Sequence, residues 1–100
     1  MSIPPERIRD LLAEVAALWP GASVFQMTSP EVQGGHADFL VVADKPPGRT
    51  RARALAGRLE GPLEKSGHVL FMAREEFEAT RGQSGRLAFR ADKTGKLLES

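Results

Sequence analysis

Apolar positions recur with a helical period at the start of the chain. Ile8, Leu11, Leu12, Val15 and Leu18 follow the i, i+3, i+4, i+7 spacing, the stripe of a helix that buries one face. A helix is therefore predicted over Pro4 to Leu18. Pro4-Pro5 suits its start, where a missing N–H costs nothing, and Pro20-Gly21 stops it. The period then shortens. Ala22 to Met27 reads as a short strand around Val24 and Phe25, and His36 to Ala43 as a longer one. Phe39-Leu40-Val41-Val42-Ala43 is apolar without alternation, so both faces of that strand are expected to be covered. Thr28 to Gly35 joins the two as a loop, in which Ser29-Pro30-Glu31 has the form of an N-cap, a first-turn proline and a first-turn acid.

The helical period returns from Arg49 to about Lys65, with Ala52, Leu55, Ala56, Leu59 and Leu63 as the apolar stripe. Gly61-Pro62 is expected to kink or split this helix, and Gly67 to end it. Val69 to Met72 reads as a third strand and Glu75 to Thr80 as a short helix. Past Arg86 the pattern weakens; Leu87, Phe89 and Leu97-Leu98 are apolar around an expected turn at Lys93-Thr94-Gly95. Helices interleaved with buried strands predict a small α/β (α+β) domain, a short mixed sheet with helices packed mainly on one side. With 100 residues and no linker, the chain reads as one domain over residues 1–100.

Composition narrows the function classes. Apolar residues at 41% and charged residues at 27% describe a folded chain. Fourteen basic residues against thirteen acidic ones give a net charge of +1 and no global pull toward nucleic acid or a membrane surface. The absence of cysteine excludes disulfides, thiolate metal sites and a cysteine nucleophile. Met1 to Arg7 carry no signal-peptide core, and no apolar run reaches the roughly 18 residues of a membrane helix. A soluble cytoplasmic protein is expected.

The candidate chemistry lies between Phe25 and Asp44. A hydroxyl-bearing loop passes through Gly34-Gly35 into the second strand, which opens with His36 and Asp38 two residues apart. Strand alternation puts both on one face, side by side at the mouth of a sheet. Such a pair can hold a divalent cation, and the Ser29-Pro30 turn can offer backbone N–H groups to a phosphate.

The element order and the strand His36-Ala37-Asp38-Phe39-Leu40-Val41-Val42 resemble the minimal nucleotidyltransferases of the polymerase-beta superfamily. In that family the first strand ends in a Gly-Ser loop and the next opens with Asp-x-Asp before an apolar run. A third carboxylate sits on a later strand, and two Mg²⁺ ions held by these acids drive nucleotidyl transfer. The resemblance spans most of the chain, including Gly67-His68-Val69-Leu70-Phe71 and the ending Thr94-Gly95-Lys96-Leu97-Leu98-Glu99. The motif itself departs from the family. Gln26-Met27 stand where Gly-Ser is expected, His36 stands for the first Asp, and Val69 to Met72 contain no acid. One carboxylate of the three, Asp38, is kept.

Two function classes follow. The first is a nucleotidyltransferase-fold protein impaired in catalysis that acts as a binding or assembly module. The second is an active enzyme moving a nucleoside monophosphate from NTP to an acceptor hydroxyl. In the enzyme, Asp38 would be catalytic and a metal ligand, His36 its partner ligand, and Ser29 the phosphate contact. The cofactor would be Mg²⁺ or Mn²⁺, a His and Asp pair suiting the softer ion better. The resemblance implies a nucleotide and a small helical HEPN-type protein as partners. A sheet edge at Val69 to Met72 would allow a homodimer.

Each of these residues also has a plainer reading. Asp38 can be a strand-end carboxylate, and His36 and His68 exposed residues at strand starts. Glu75, a remote substitute for the third acid, can simply favour a helix N-terminus together with Glu76 and Glu78. Lys45, Arg49, Arg51, Arg53 and Arg58 can hold phosphates or form a solvated helix face. Trp19 reads as a core or helix-end anchor.

Overall fold

The structure is a computed structural model that describes residues 5–28, 37–61 and 67–99. The elements in chain order are α1 (Pro5–Leu18), β1 (Ser23–Thr28), β2 (Ala37–Ala43), α2 (Arg49–Glu60), β3 (Gly67–Ala73), α3 (Arg74–Thr80), α4 (Leu87–Thr94) and β4 (Lys96–Glu99). The strands form a single mixed sheet in the order β3-β2-β1-β4. β1 runs antiparallel to both of its neighbours, β2 and β4, whereas β2 and β3 are parallel. The parallel pair needs a crossover, and α2 supplies it. The fold is thus the small α+β domain expected.

The expected interior strand is β2. Phe39, Leu40, Val41 and Val42 are each fully buried, because alternate side chains feed two separate cores. Phe39, Val41 and Ala43 join Leu11 and Val15 of α1 and Leu59 of α2 on one face. Leu40 and Val42 join Met27, Met72, Phe77 of α3, and Ala88 and Ala91 of α4 on the other. This corrects the expectation of helices mainly on one side. The two long helices do share a face, but α3 and α4 cover the opposite one. The second layer was hard to read because α4 docks through alanines, whose small side chains carry little hydrophobic signal.

The weakly patterned tail resolves into α4 and β4, and the turn expected at Lys93-Thr94-Gly95 is the junction between them. Gly95 is fitted closely there: its N–H donates to the Ala91 carbonyl at 3.0 Å, and a Cβ at this position would lie 2.5 Å from that oxygen. Helix α2 ends at Glu60, followed by Gly61; Pro62 to Ser66, including the expected kink and Leu63, lie outside the described residues. Leu18, the last member of the α1 stripe, is 41% exposed instead of buried. Trp19 packs against the first core with its ring centroid 5.2 Å from that of Phe71, as an anchor should. Among the described residues, no helix is long and apolar enough to cross a membrane.

Candidate functional site

The site expected from the sequence sits at the start of β2. Ser29 and His36 lie outside the described residues. Asp38 is half-buried, on the sheet face it shares with Leu40 and Val42. Its register neighbours are Met27 on β1 and His68 on β3. The position beside Asp38 on the later strand is thus a histidine, and on the earlier strand a thioether. His68 is exposed, as its reading at a strand start predicts, and its register partner is Asp38. Among the described residues no group of three or more His, Cys, Asp or Glu side chains could hold a metal ion. Glu75 cannot replace the third acid. It follows the far end of β3, about 16 Å of extended chain beyond His68.

A second site forms at that far end, where the parallel strands β2 and β3 finish. Ligands of α/β sheets favour the crevice outside the carboxyl ends of parallel strands, because the chain splays apart there to enter its crossovers. A cavity of about 670 Å³ opens at this place, within the size range of small-molecule sites. Its wall combines apolar Leu18, Trp19 and Leu55 with Lys45, Arg51 and Arg74. The exposure of Leu18 is explained by this position.

Arg74 is the centre of the cleft. The guanidinium donates from Nε to the Asp44 carboxylate at 2.9 Å and from Nη2 to the Gly21 carbonyl at 2.9 Å. Longer contacts of 3.5 Å run from Nη1 to the Ser23 hydroxyl and from Nη2 to the Val42 carbonyl. One side chain thereby ties the α1–β1 turn, the end of β2 and the start of α3. Gly21 adopts φ +84°, a conformation that favours glycine, as it turns the chain from α1 into β1.

The other two cations are differently placed. Lys45 and Arg51 are exposed, and among the described residues neither forms an ion pair within 4.0 Å. Arg51 lies in the first turn of α2, where backbone N–H groups also point outward. Of the remaining basic cluster, Arg58 reaches Glu14 of α1 at 3.7 Å, while Arg49 and Arg53 line a separate groove beside β3. The cluster is therefore divided among three surroundings.

Sequence reasoning missed Arg74 and Asp44 as partners. Asp44 was visible only as the residue ending a strand, and Arg74 only as one preceding a helix. The signal that brings them together is the parallel register of Ala43 with Ala73, which sets the residue after each strand side by side. No protein-family model, curated protein or solved structure matches the chain.

Proposed function

We infer that the protein is a cytoplasmic binding module of nucleotidyltransferase-like layout without nucleotidyl-transfer activity. Its cleft at the carboxyl ends of β2 and β3 takes a small anionic ligand with a flat apolar body, of which a mononucleotide is the simplest kind. The observation that carries this reading is the composition of the cleft wall. Among the described residues Lys45 and Arg51 form no ion pair, and they stand beside the apolar surfaces of Trp19, Leu18 and Leu55, while Asp44, the acid in the same wall, is held by Arg74. Charge-assisted contacts to an anion, supported by the first-turn N–H groups of α2, would orient such a ligand. Arg74, committed to Asp44 and Gly21, shapes the floor, its charge balanced by the Asp44 carboxylate. The resemblance to minimal nucleotidyltransferases makes nucleotides the first ligands to try and a HEPN-type helical protein the first partner.

A second reading is favoured by one observation, the pairing of Asp38 with His68 in register. Two ligating groups side by side would suit a single Mn²⁺ in an atypical metal-dependent nucleotidyltransferase. Calorimetric titration with ATP, GTP and pyrophosphate, each with and without Mg²⁺ or Mn²⁺, separates the two. Metal-independent binding that Lys45→Ala with Arg51→Ala weakens about tenfold or more supports the cleft. Metal-dependent binding that Asp38→Asn abolishes moves the site to the start of β2. No heat with any of these ligands would reject both.

A further inference from the structure

Strand β3 is an edge of the sheet, and its outer side is prepared for another strand. Backbone groups of a parallel strand point alternately to its two sides. The Val69 N–H turns away from β2, since it donates to Glu60 Oε2 at 2.8 Å. By alternation, Phe71 and Ala73 also direct their backbone groups outward. A groove of about 810 Å³ runs along this edge. Its α2 wall is made of Ala52, Ala56 and Gly57, with Arg49 and Arg53 toward one end and Glu60 at the other. On the opposite face of the sheet Leu70 is 38% exposed, next to Met72.

We propose that this edge pairs with the same edge of a second copy of the chain, β3 against β3 in antiparallel register about a two-fold axis at Phe71. The hydrogen-bonding groups select this register. The Val69 N–H is already held by Glu60, so any register needing it for the partner strand is excluded. With Phe71 opposite Phe71, those two residues exchange N–H and C=O bonds. The Ala73 N–H meets the Val69 carbonyl of the other copy. The bond left out of this ladder would join the Val69 N–H to the Ala73 carbonyl. Both of those groups have partners within their own chain: Glu60 for the first, and the first turn of α3, for which Ala73 is the N-cap, for the second.

The side chains agree with the same register. Leu70 falls opposite Met72 of the other copy on one face, and this apolar pair covers the exposed leucine. On the other face the two α2 helices lie antiparallel. The small residues Ala52, Ala56 and Gly57 allow close approach, and the Arg49–Arg53 end of each helix comes beside the Glu60 end of the other. A two-fold interface must be self-complementary, and the paired α2 helices carry both charges in the required opposed order. The other sheet edge, β4, is only four residues long and so offers a shorter ladder.

Sedimentation velocity over about 1 to 200 μM, combined with amide hydrogen exchange at both ends of that range, tests the pairing. The expected result is a monomer–dimer equilibrium in which the Phe71 and Ala73 amides gain protection as the dimer forms. Leu70→Lys should raise the dissociation constant about tenfold or more, and Leu97→Lys on β4 should leave it within about twofold. A monomer throughout the range overturns the proposal. So does a dimer whose Phe71 amide stays unprotected, or one lost in Leu97→Lys but kept in Leu70→Lys. If Leu70→Lys does not fold, the exchange pattern of the unaltered chain still decides.

Discussion

Arg74 Nε and Asp44 Oδ1 meet at 2.9 Å across the ends of two parallel strands, and the same guanidinium holds the Gly21 carbonyl from the turn before β1. The acid is the lesser half of this arrangement, because its side chain is 83% exposed and solvent screens the pair. The bonds to backbone carbonyls join segments that would otherwise be tied only through the sheet. Arg74→Ala is therefore expected to cost roughly 1–3 kcal/mol, and Asp44→Ala less than about 1 kcal/mol. Urea denaturation of both variants checks the order; equal losses would show that the ion pair dominates.

Val41 is fully buried in the centre of the sheet, under the face shared by α1 and α2. Val41→Asp leaves a carboxylate with no partner there, costing several kcal/mol against a total stability of about 5–15 kcal/mol. The variant should be unfolded or molten by near-ultraviolet circular dichroism. A soluble protein with a cooperative melt would contradict the placement of β2.

Gly95→Ala tests the junction that launches β4. Its Cβ would sit 2.5 Å from a backbone oxygen, Ala91 O, which cannot rotate away as a side chain would. The backbone must shift, and the expected loss is about 1–3 kcal/mol. Thermal melts should show it, with the amides of β4 and the adjoining edge of β1 losing protection first.

Asp38→Asn should change stability by less than about 1 kcal/mol, since an amide keeps hydrogen-bonding capacity at a half-buried strand position. The unaltered protein should show no incorporation from any NTP with Mg²⁺, because two-metal transfer needs three carboxylates, whereas His36 stands for the first and Val69 to Met72 offer none for the third. Mn²⁺-dependent transfer that vanishes in Asp38→Asn, with an unchanged melting temperature, would reverse this assignment.

Binding in the cleft should weaken as salt rises, because Lys45 and Arg51 are exposed cations. Titration of ATP at low and high ionic strength reads this directly. Affinity indifferent to salt would mean that apolar contacts with Trp19 and Leu55 carry the ligand.

Elements with large apolar side chains were legible in the sequence. The stripe of α1 and the unbroken run in β2 named their own structures, since period and burial agree in both, Leu18 excepted. α4 was not legible, because it buries Ala88 and Ala91. The cleft was hidden for a different reason. Asp44 and Arg74 are thirty residues apart, and nothing local to either announces the other until β2 and β3 are known to be parallel. Asp38 was placed correctly on the opening of β2, yet its neighbours depend on cross-strand register, which short apolar strands do not encode.

The position of β4 has a consequence for how the chain reaches this structure. Lys96 pairs with Gln26, and Leu97 with Phe25, so an inner strand waits for a segment about seventy residues away. Everything from α1 to α3 can collapse while that side of β1 is still uncovered. Such distant closure slows folding, and for its duration the half-built sheet has a temporary sticky side at Val24 to Gln26. During synthesis the protein would be most open to mispairing in the interval before residues 96–99 dock, and a chaperone that recognises extended apolar segments would find its target at β1.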